Sequence, residues 1–391
     1  MRTLLLLALK NVRGAGLRTW LNVATLSFGF VTIVWMQGIY EGMMRQMVTA
    51  QIDTEYGGGQ FWHKAFDPFD PLSFEDAHGE PGDALKKLVA EKKATPILLR
   101  TGAIFPNGRA QSVVLRGIEP TQEIVQIPGG VLLREGEALP GLIGKRMAEA
   151  TGLKKGDTVT IRWRDVSGTF DATDVEVVEV MNIAVPGLDA GQLWLPLRTL
   201  RRLIGSAEAT TLFVTEKGYV ESHIEDPNFV WKNNDFLLSE ERAIFESKKA
   251  FGYILYVILM AMGLLAVFDT QVLSIFRRRR EIGTLMALGV TRSEVVGLFT
   301  LEGSLHGVLA LFAGALWGIP ILAHAAKIGI GLPKMSDNMG IAIGARLYAS
   351  YAPQVLVVTL CVLLCSVVVV SFLPARRIAK MRPTDAIRGK G

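Results

Sequence analysis

Apolar and polar positions alternate between two regimes along this chain. Four runs are apolar almost without break: residues 19–40, 251–276, 295–323 and 354–374. The first holds 22 residues and no charge. A helix needs about 20 such residues to cross a hydrocarbon core of about 30 Å, so each run predicts a membrane-spanning helix. The first is too long for the apolar centre of a secretion signal. Between the first and second runs, residues 41–250 change character and read as a folded, water-facing domain with its own helices and strands.

That inserted segment gives a sequence of local expectations. Helical periodicity continues from Glu41 to Tyr56 and stops at Gly57-Gly58-Gly59. Gln60-Phe61-Trp62 opens a strand, 67–81 is an exposed acidic loop, and Asp83–Lys93 is a charged helix. Thr101–Ile118 predicts two strands around Pro106-Asn107-Gly108. Lys145–Thr151 is a helix closed by Gly152, and Thr158–Trp163 and Val175–Val180 are strands. Leu197–Ile204 is a helix, Val230–Leu238 a last strand, and Ser239–Lys249 a helix leading into the second span. The fold class expected is an α-helical membrane protein with four transmembrane helices and a mixed α+β extracytoplasmic domain inserted between helices 1 and 2.

Composition agrees with that division. Half of the residues are apolar, 20% are charged, and the mean hydropathy is +0.32. The net charge of +5 conceals a split: residues 41–250 carry 24 Lys and Arg against 31 Asp and Glu, so the rest of the chain carries the basic surplus. A nucleic-acid binder would put that surplus on its soluble part, so nucleic acid is excluded as a partner. Basic residues at helix ends mark the cytoplasmic side. Residues 1–18 hold four basic residues and no acid, 277–294 hold five arginines, and 375–391 hold six basic residues, against three in 324–353. The predicted order is a cytoplasmic amphipathic segment (1–18), the first span, the outer domain (41–250) with helical stalks and the second span. A cytoplasmic hairpin (277–294), the third span, an outer loop (324–353), the fourth span and a cytoplasmic tail follow. Both termini lie inside.

Candidate chemistry is sparse. The string Gly141-Leu142-Ile143-Gly144-Lys145-Arg146 lacks the spacing and the hydroxyl residue of a nucleotide-binding P-loop. His63, His78 and His223 have no metal-ligand spacing, and the acidic residues of 67–83 lack that of an EF-hand loop. No metal site is expected. Cys361 and Cys365, one turn apart in the last span, suit lipid or helix packing. Gly303-x-x-x-Gly307 and Gly314-x-x-x-Gly318 let helix backbones approach closely. Glu302, His306 and Asp269 are ionisable residues inside spans. Two readings stand for Glu302 and His306: a proton relay, or a carboxylate near the inner surface that pairs with a basic neighbour. Asp269 has Arg277 or Arg278 within reach.

The hairpin carries the most specific signal. After the membrane-interface arginines Arg277, Arg278 and Arg279 comes Arg280-Glu281-Ile282-Gly283, then Leu285, Ala287, Leu288 and Gly289. This resembles the R-E-I-G-x-L-x-A-x-G signature of ABC-transporter permeases of the MacB/FtsX/LolC-LolE type. The tail from Pro374 through Arg376 and Arg377 to Arg388, and Leu142–Ile161 in the outer domain, resemble the same family. The chain departs from it at Met181-Asn182-Ile183, where a Thr-Gly turn is usual.

The resemblance implies a permease subunit without a nucleotide site, working by mechanotransmission. A separate dimeric ABC ATPase would bring ATP and Mg, and a second permease copy or paralogue would complete the complex. The hairpin, through Arg280–Gly283, Leu285, Ala287–Gly289 and Arg292, would couple to the ATPase. Membrane lipids, a lipoprotein substrate, and a periplasmic adaptor or chaperone are further partners so implied. Lipoprotein or lipid extraction from the bacterial inner membrane is the first expectation; drug or peptide efflux and signalling to a cell-wall hydrolase are the others.

Overall fold

The computed structural model describes residues 16–134, 136–219, 224–331 and 346–379. Most of the N-terminal segment, His223, part of the loop after the third span and the end of the tail lie outside the described residues. The described residues fall into two compact units, the second made of those of 45–243 together with Arg346 and the first of the remainder.

The first unit is helical. Among the described residues, four helices are long and apolar enough to cross a membrane. They are α1 (Leu17–Gln51), α5 (Ser239–Arg277), α7 (Arg292–Ile328) and α8 (Pro353–Ala379), and a short α6 (Arg279–Ala287) links α5 to α7. Val23 and Leu26 of α1 meet Val267 of α5, Ala310 of α7 and Val367 of α8 in one cluster, so every spanning helix contributes to a single core. The outward faces stay apolar: Phe251 and Met262 on α5 and Phe312 and Leu316 on α7 are exposed. In water that pattern would be costly; against hydrocarbon it is the expected one. Pro374, taken from sequence as the end of the last span, lies inside α8.

Glycines set how closely these helices approach. A Cβ on Gly303 would fall 2.2 Å from Ser371 Oγ on α8 and 3.1 Å from Gln271 Nε2 on α5. Gly307 faces Val367 on α8, and Gly318 faces Val31 on α1, where a Cβ would come within 2.6 Å. The two spacings on α7 therefore serve two different neighbours.

The second unit is built on a nine-stranded sheet among the described residues. Its strands are β1 (Gln60–His63), β2 (Ala94–Ile104), β3 (Gln111–Ile118), β4 (Leu139–Gly144), β5 (Thr158–Arg164), β6 (Phe170–Met181), β7 (Gln192–Pro196), β8 (Leu212–Thr215) and β9 (Phe229–Lys232). The order is β3-β7-β4-β6-β5-β2-β8-β1-β9, and β2 also pairs with β3. Six strands thus close on themselves, while β8, β1 and β9 extend from β2. The 11 residues of β2 allow this: Ala94–Ile97 pair with β8 and Gly102–Ile104 with β5. The β3–β7 and β4–β6 pairs are parallel.

Inside the closed part, Trp163, Val177, Leu115 and Leu193 pack with Met147 of α3 (Lys145–Thr151) and Leu200 and Ile204 of α4 (Leu197–Ile204). Leu197, Leu200 and Ile204 recur at helical spacing, which is why α4 forms and which face it buries. A second cluster joins Leu85 and Leu88 of α2 (Asp83–Ala90) to Phe61, Phe213 and Phe229.

Two expectations are corrected. The 67–81 loop is not simply exposed: Phe74 and Ala77 are buried, and the buried Arg100 guanidinium donates to the Phe74 and Glu75 carbonyls. The expected strand Val230–Leu238 stops at Lys232, because the Asn233 side chain accepts from Phe236 N–H and starts a turn of helix at Asn234.

Candidate functional site

Two residues after α5 turns polar at Arg277, α6 begins, and its own pattern fixes its orientation. Ile282 is buried and Met286 lies one turn on; with Ile275, Val295, Phe299 and Ala375 they form one apolar cluster joining α5, α6, α7 and α8. Gly283 is buried beside Ile282, and Leu285 is half-buried. The opposite face carries Arg280, Glu281, Ala287, Leu288 and Gly289, all exposed, and Arg292 is exposed at the start of α7. Leu288 is 79% exposed, a large apolar side chain presented to the surroundings among charges. Gly289, at φ 97°, takes the left-handed turn that stops α6. Thr291 then caps α7 in a capping box: its Oγ1 accepts from Glu294 N–H, and Glu294 accepts from Thr291 N–H at 2.9 Å.

One arginine fastens this hairpin to the span behind it. Arg278 Nε lies 2.9 Å from Glu281 Oε2 and its Nη1 lies 3.0 Å from Glu302 Oε2. The same guanidinium sits 5.2 Å from the Phe299 ring centroid. Glu302 is 4% exposed, so its charge is held by a partner reaching in from the interface. His306 Nδ1 lies 3.0 Å from the Glu302 backbone carbonyl oxygen. Arg279 stacks over Phe276 at 4.7 Å, and Arg277, Arg376 and Arg377 are exposed. Asp269 forms no salt bridge among the described residues; Arg278 is taken by Glu281 and Glu302.

A second polar assembly lies wholly in the sheet unit. Glu241 Oε1, on the first turn of α5, accepts from Tyr56 OH at 3.1 Å and from Gln51 Nε2 at 3.3 Å, where α1 ends. Next to Tyr56, Glu55 pairs with the fully buried Arg116 of β3 at 3.2 Å, and Arg116 also donates to Gln192 and stacks over Trp194. Burial first, and Glu55 and Glu241 second, push the Tyr56 hydroxyl far above the usual phenol range, so it stays a donor. Gly57, at φ 54°, ends the helix immediately afterwards. The ends of two helices and one barrel strand are therefore tied at one place. Sequence reasoning missed it. Arg116 in an apolar strand was a visible signal; Glu241 had none.

The residues 231–383 match the model of the FtsX-like permease C-terminal domain. The lipoprotein-releasing system transmembrane protein LolC of Xylella fastidiosa strain Temecula1 is 22% identical over 324 residues, covering 74% of this chain and 76% of LolC. The macrolide export ATP-binding/permease protein MacB 1 of Yersinia pestis bv. Antiqua is 28% identical over 238 residues, covering 56% of this chain but only 34% of that protein. The crystal structure of the periplasmic region of MacB from Actinobacillus actinomycetemcomitans aligns with 47% of this chain and 92% of its own, at 13% identity and a TM-score of 0.32.

Proposed function

We propose that this chain, an ABC transporter permease and multi-pass protein of the bacterial inner membrane by its FtsX-like permease domain and its homology to LolC and MacB, works by mechanotransmission and serves lipoprotein or lipid release from that membrane. In this reading a separate ATPase dimer binds ATP and Mg and grips the exposed face of α6. A second permease copy or paralogue completes the assembly. Both termini lie in the cytoplasm and the sheet unit lies outside.

The observation that carries the mechanism is helix length. The 35 residues of α1 and the 39 of α5 correspond to about 52 and about 58 Å at 1.5 Å per residue, against a hydrocarbon core of about 30 Å. The helices therefore have about 20 Å (α1) and nearly 30 Å (α5) to spare as levers. Glu241 joins the two lever ends, and Glu55–Arg116 passes their position to the barrel. At the other end, the Arg278 links to Glu281 and Glu302 make α6 move with α5 and α7. A push on Glu281, Leu288 and Arg292 would thus travel along helices, with no polar path through the membrane.

Release of lipidated protein is preferred to efflux because the LolC likeness covers about three quarters of both chains, while MacB relatives, one of them matched by 95% of this chain, are longer proteins covered over only 34–58% of their own length. Mass spectrometry of the complex purified gently from native membranes tests this. An ATPase with bound lipoproteins is the expected result. An ATPase with an adaptor and outer channel means efflux, a cell-wall hydrolase means signalling, and an intact complex without an ATPase defeats the reading. A paired test is Arg280→Ala with Glu281→Ala, expected to leave ATPase turnover but abolish transport.

A further inference from the structure

The outward half of the helical unit has a groove with two chemically different ends. Its deep part is lined by Phe30, Val31 and Val34 of α1, Leu311 to Ala323 of α7, and Leu356, Val357 and Leu360 of α8, with almost no polar surface. From Leu311 to Ala323 the groove follows α7 for about 18 Å at 1.5 Å per residue. That is close to one leaflet of a core about 30 Å thick. At its mouth a second recess begins, sharing Val34, Tyr351 and Leu356 with the first, and lined by Gln37, Tyr40, Glu41, Glu246, Lys249 and Tyr253.

The place where the two meet is constructed. Ser350 N–H donates to the Gly38 carbonyl at 2.9 Å, pinning the segment before α8 onto α1. The Tyr351 ring lies flush on Gly38, where a Cβ would come within 2.0 Å of it. Thr359 on α8 donates to Gln37 at 2.9 Å. Tyr351 lines both the apolar groove and the polar mouth, and its hydroxyl is buried with no hydrogen-bond partner among the described residues. A buried phenol without a partner is unusual and marks a donor awaiting an acceptor.

We propose that this groove binds one phospholipid of the bilayer with a zwitterionic, amine-bearing headgroup. An acyl chain fills the apolar part, an ester carbonyl at the chain's upper end accepts from Tyr351, and the headgroup occupies the mouth. Charge at the mouth selects the headgroup. Lys249, paired with Glu246 at 3.6 Å, faces a phosphate, while Glu41 and Glu246 favour an ammonium and disfavour a second anionic group. The site lies on the faces of α1, α5, α7 and α8, and every residue named in it belongs to this chain. It does not depend on which cargo the transporter moves.

Native mass spectrometry of the full chain in its complex, stripped of loose lipid and titrated with phosphatidylethanolamine or phosphatidylglycerol, tests the inference. Expected is one retained phosphatidylethanolamine per permease copy, bound about fivefold more tightly than phosphatidylglycerol. Tyr351→Phe, which keeps the ring, should weaken it by roughly three- to tenfold, and Ala315→Trp, which fills the groove, should remove it. Equal binding of the two lipids overturns the headgroup assignment and with it the proposal. So does retention that is unchanged in both variants, or occupancy by a lipidated protein instead. If Ala315→Trp does not assemble, Tyr351→Phe decides alone.

Discussion

The two units of this protein use the same apolar residues against opposite surroundings. In the sheet unit Trp163, Trp194, Phe61 and Phe213 are fully buried, and the closed strand ring leaves edges only at its extension. In the helical unit most large side chains face outward, and the spanning windows of α7 and α8 are only 17% buried. What packs there is small: Gly303, Gly307 and Gly318 bring helices together, and three of the buried polar groups, Glu302, Gln271 and Ser371, sit at the crossings. Burial of area drives the first unit, since water is its solvent. It cannot drive the second, where lipid is as apolar as leucine, so close contact and polar pairing take its place.

The comparison breaks most readily at a large core side chain. Trp163 is 2% exposed and its indole N–H donates to the Leu203 carbonyl at 2.9 Å. Trp163→Ala should cost about 3–5 kcal/mol in the sheet unit, whereas Leu316→Ala on α7, 83% exposed, should stay within about 0.5 kcal/mol. Chemical unfolding of the detergent-solubilised chain reads both; equal losses would mean that Leu316 is packed against protein.

Reversing the polarity gives the next largest effect. Leu265 on α5 is 60% exposed, and in water a charge there would be harmless. In the bilayer Leu265→Asp should cost about 2.5–3.5 kcal/mol of insertion, seen as loss of membrane-integrated protein. Normal integration would argue that this face lines a protein interface or a wet path.

Third comes crowding at a glycine. Gly303→Leu must displace Ser371 and Gln271, and overpacking of that kind costs about 1–3 kcal/mol. Gly187→Leu in the sheet unit, with nothing within 4 Å of its Cβ position, should be near neutral. A thermal melt of each variant is sufficient, and a neutral Gly303→Leu would show that α7 and α8 do not meet as described.

Legibility in the sequence followed the same division. The helices Lys145–Thr151 and Leu197–Ile204 stand at the residues expected, because glycines stop them and their apolar residues keep helical spacing. The four apolar helices were equally plain. Strands β4, β7 and β8 were not foreseen: Leu212–Thr215 is buried at every position, so it shows no alternation, and Leu139–Gly144 reads like a turn with its proline and two glycines. At the hairpin, a basic partner for Glu302 was foreseeable from its depth, and Arg278 fills that place. The Tyr56–Glu241 bond joins residues 185 apart, and the seating of Tyr351 on Gly38 joins α1 to the segment before α8; neither leaves a local mark in the sequence.

The smallest effect separates the units by pH. His63 and His78 in the sheet unit have their pKa values lowered, by burial first and then by Lys64 and Arg100 respectively. A lowered value means that the folded state resists protonation more than the unfolded chain, whose histidines titrate near 6.5. Above that pH both states are neutral and nothing is lost. As pH falls through it, the unfolded chain gains protons that the folded unit does not, so stability declines until the folded values are passed. Asp189 acts oppositely, since burial raises its value. Both rings are partly exposed, so solvent screening keeps the expected fall in melting temperature to about 1–3 °C. The double variant His63→Gln, His78→Gln should flatten that slope. An unchanged slope in the double variant would place the acid sensitivity elsewhere and leave the two units alike in their response to pH.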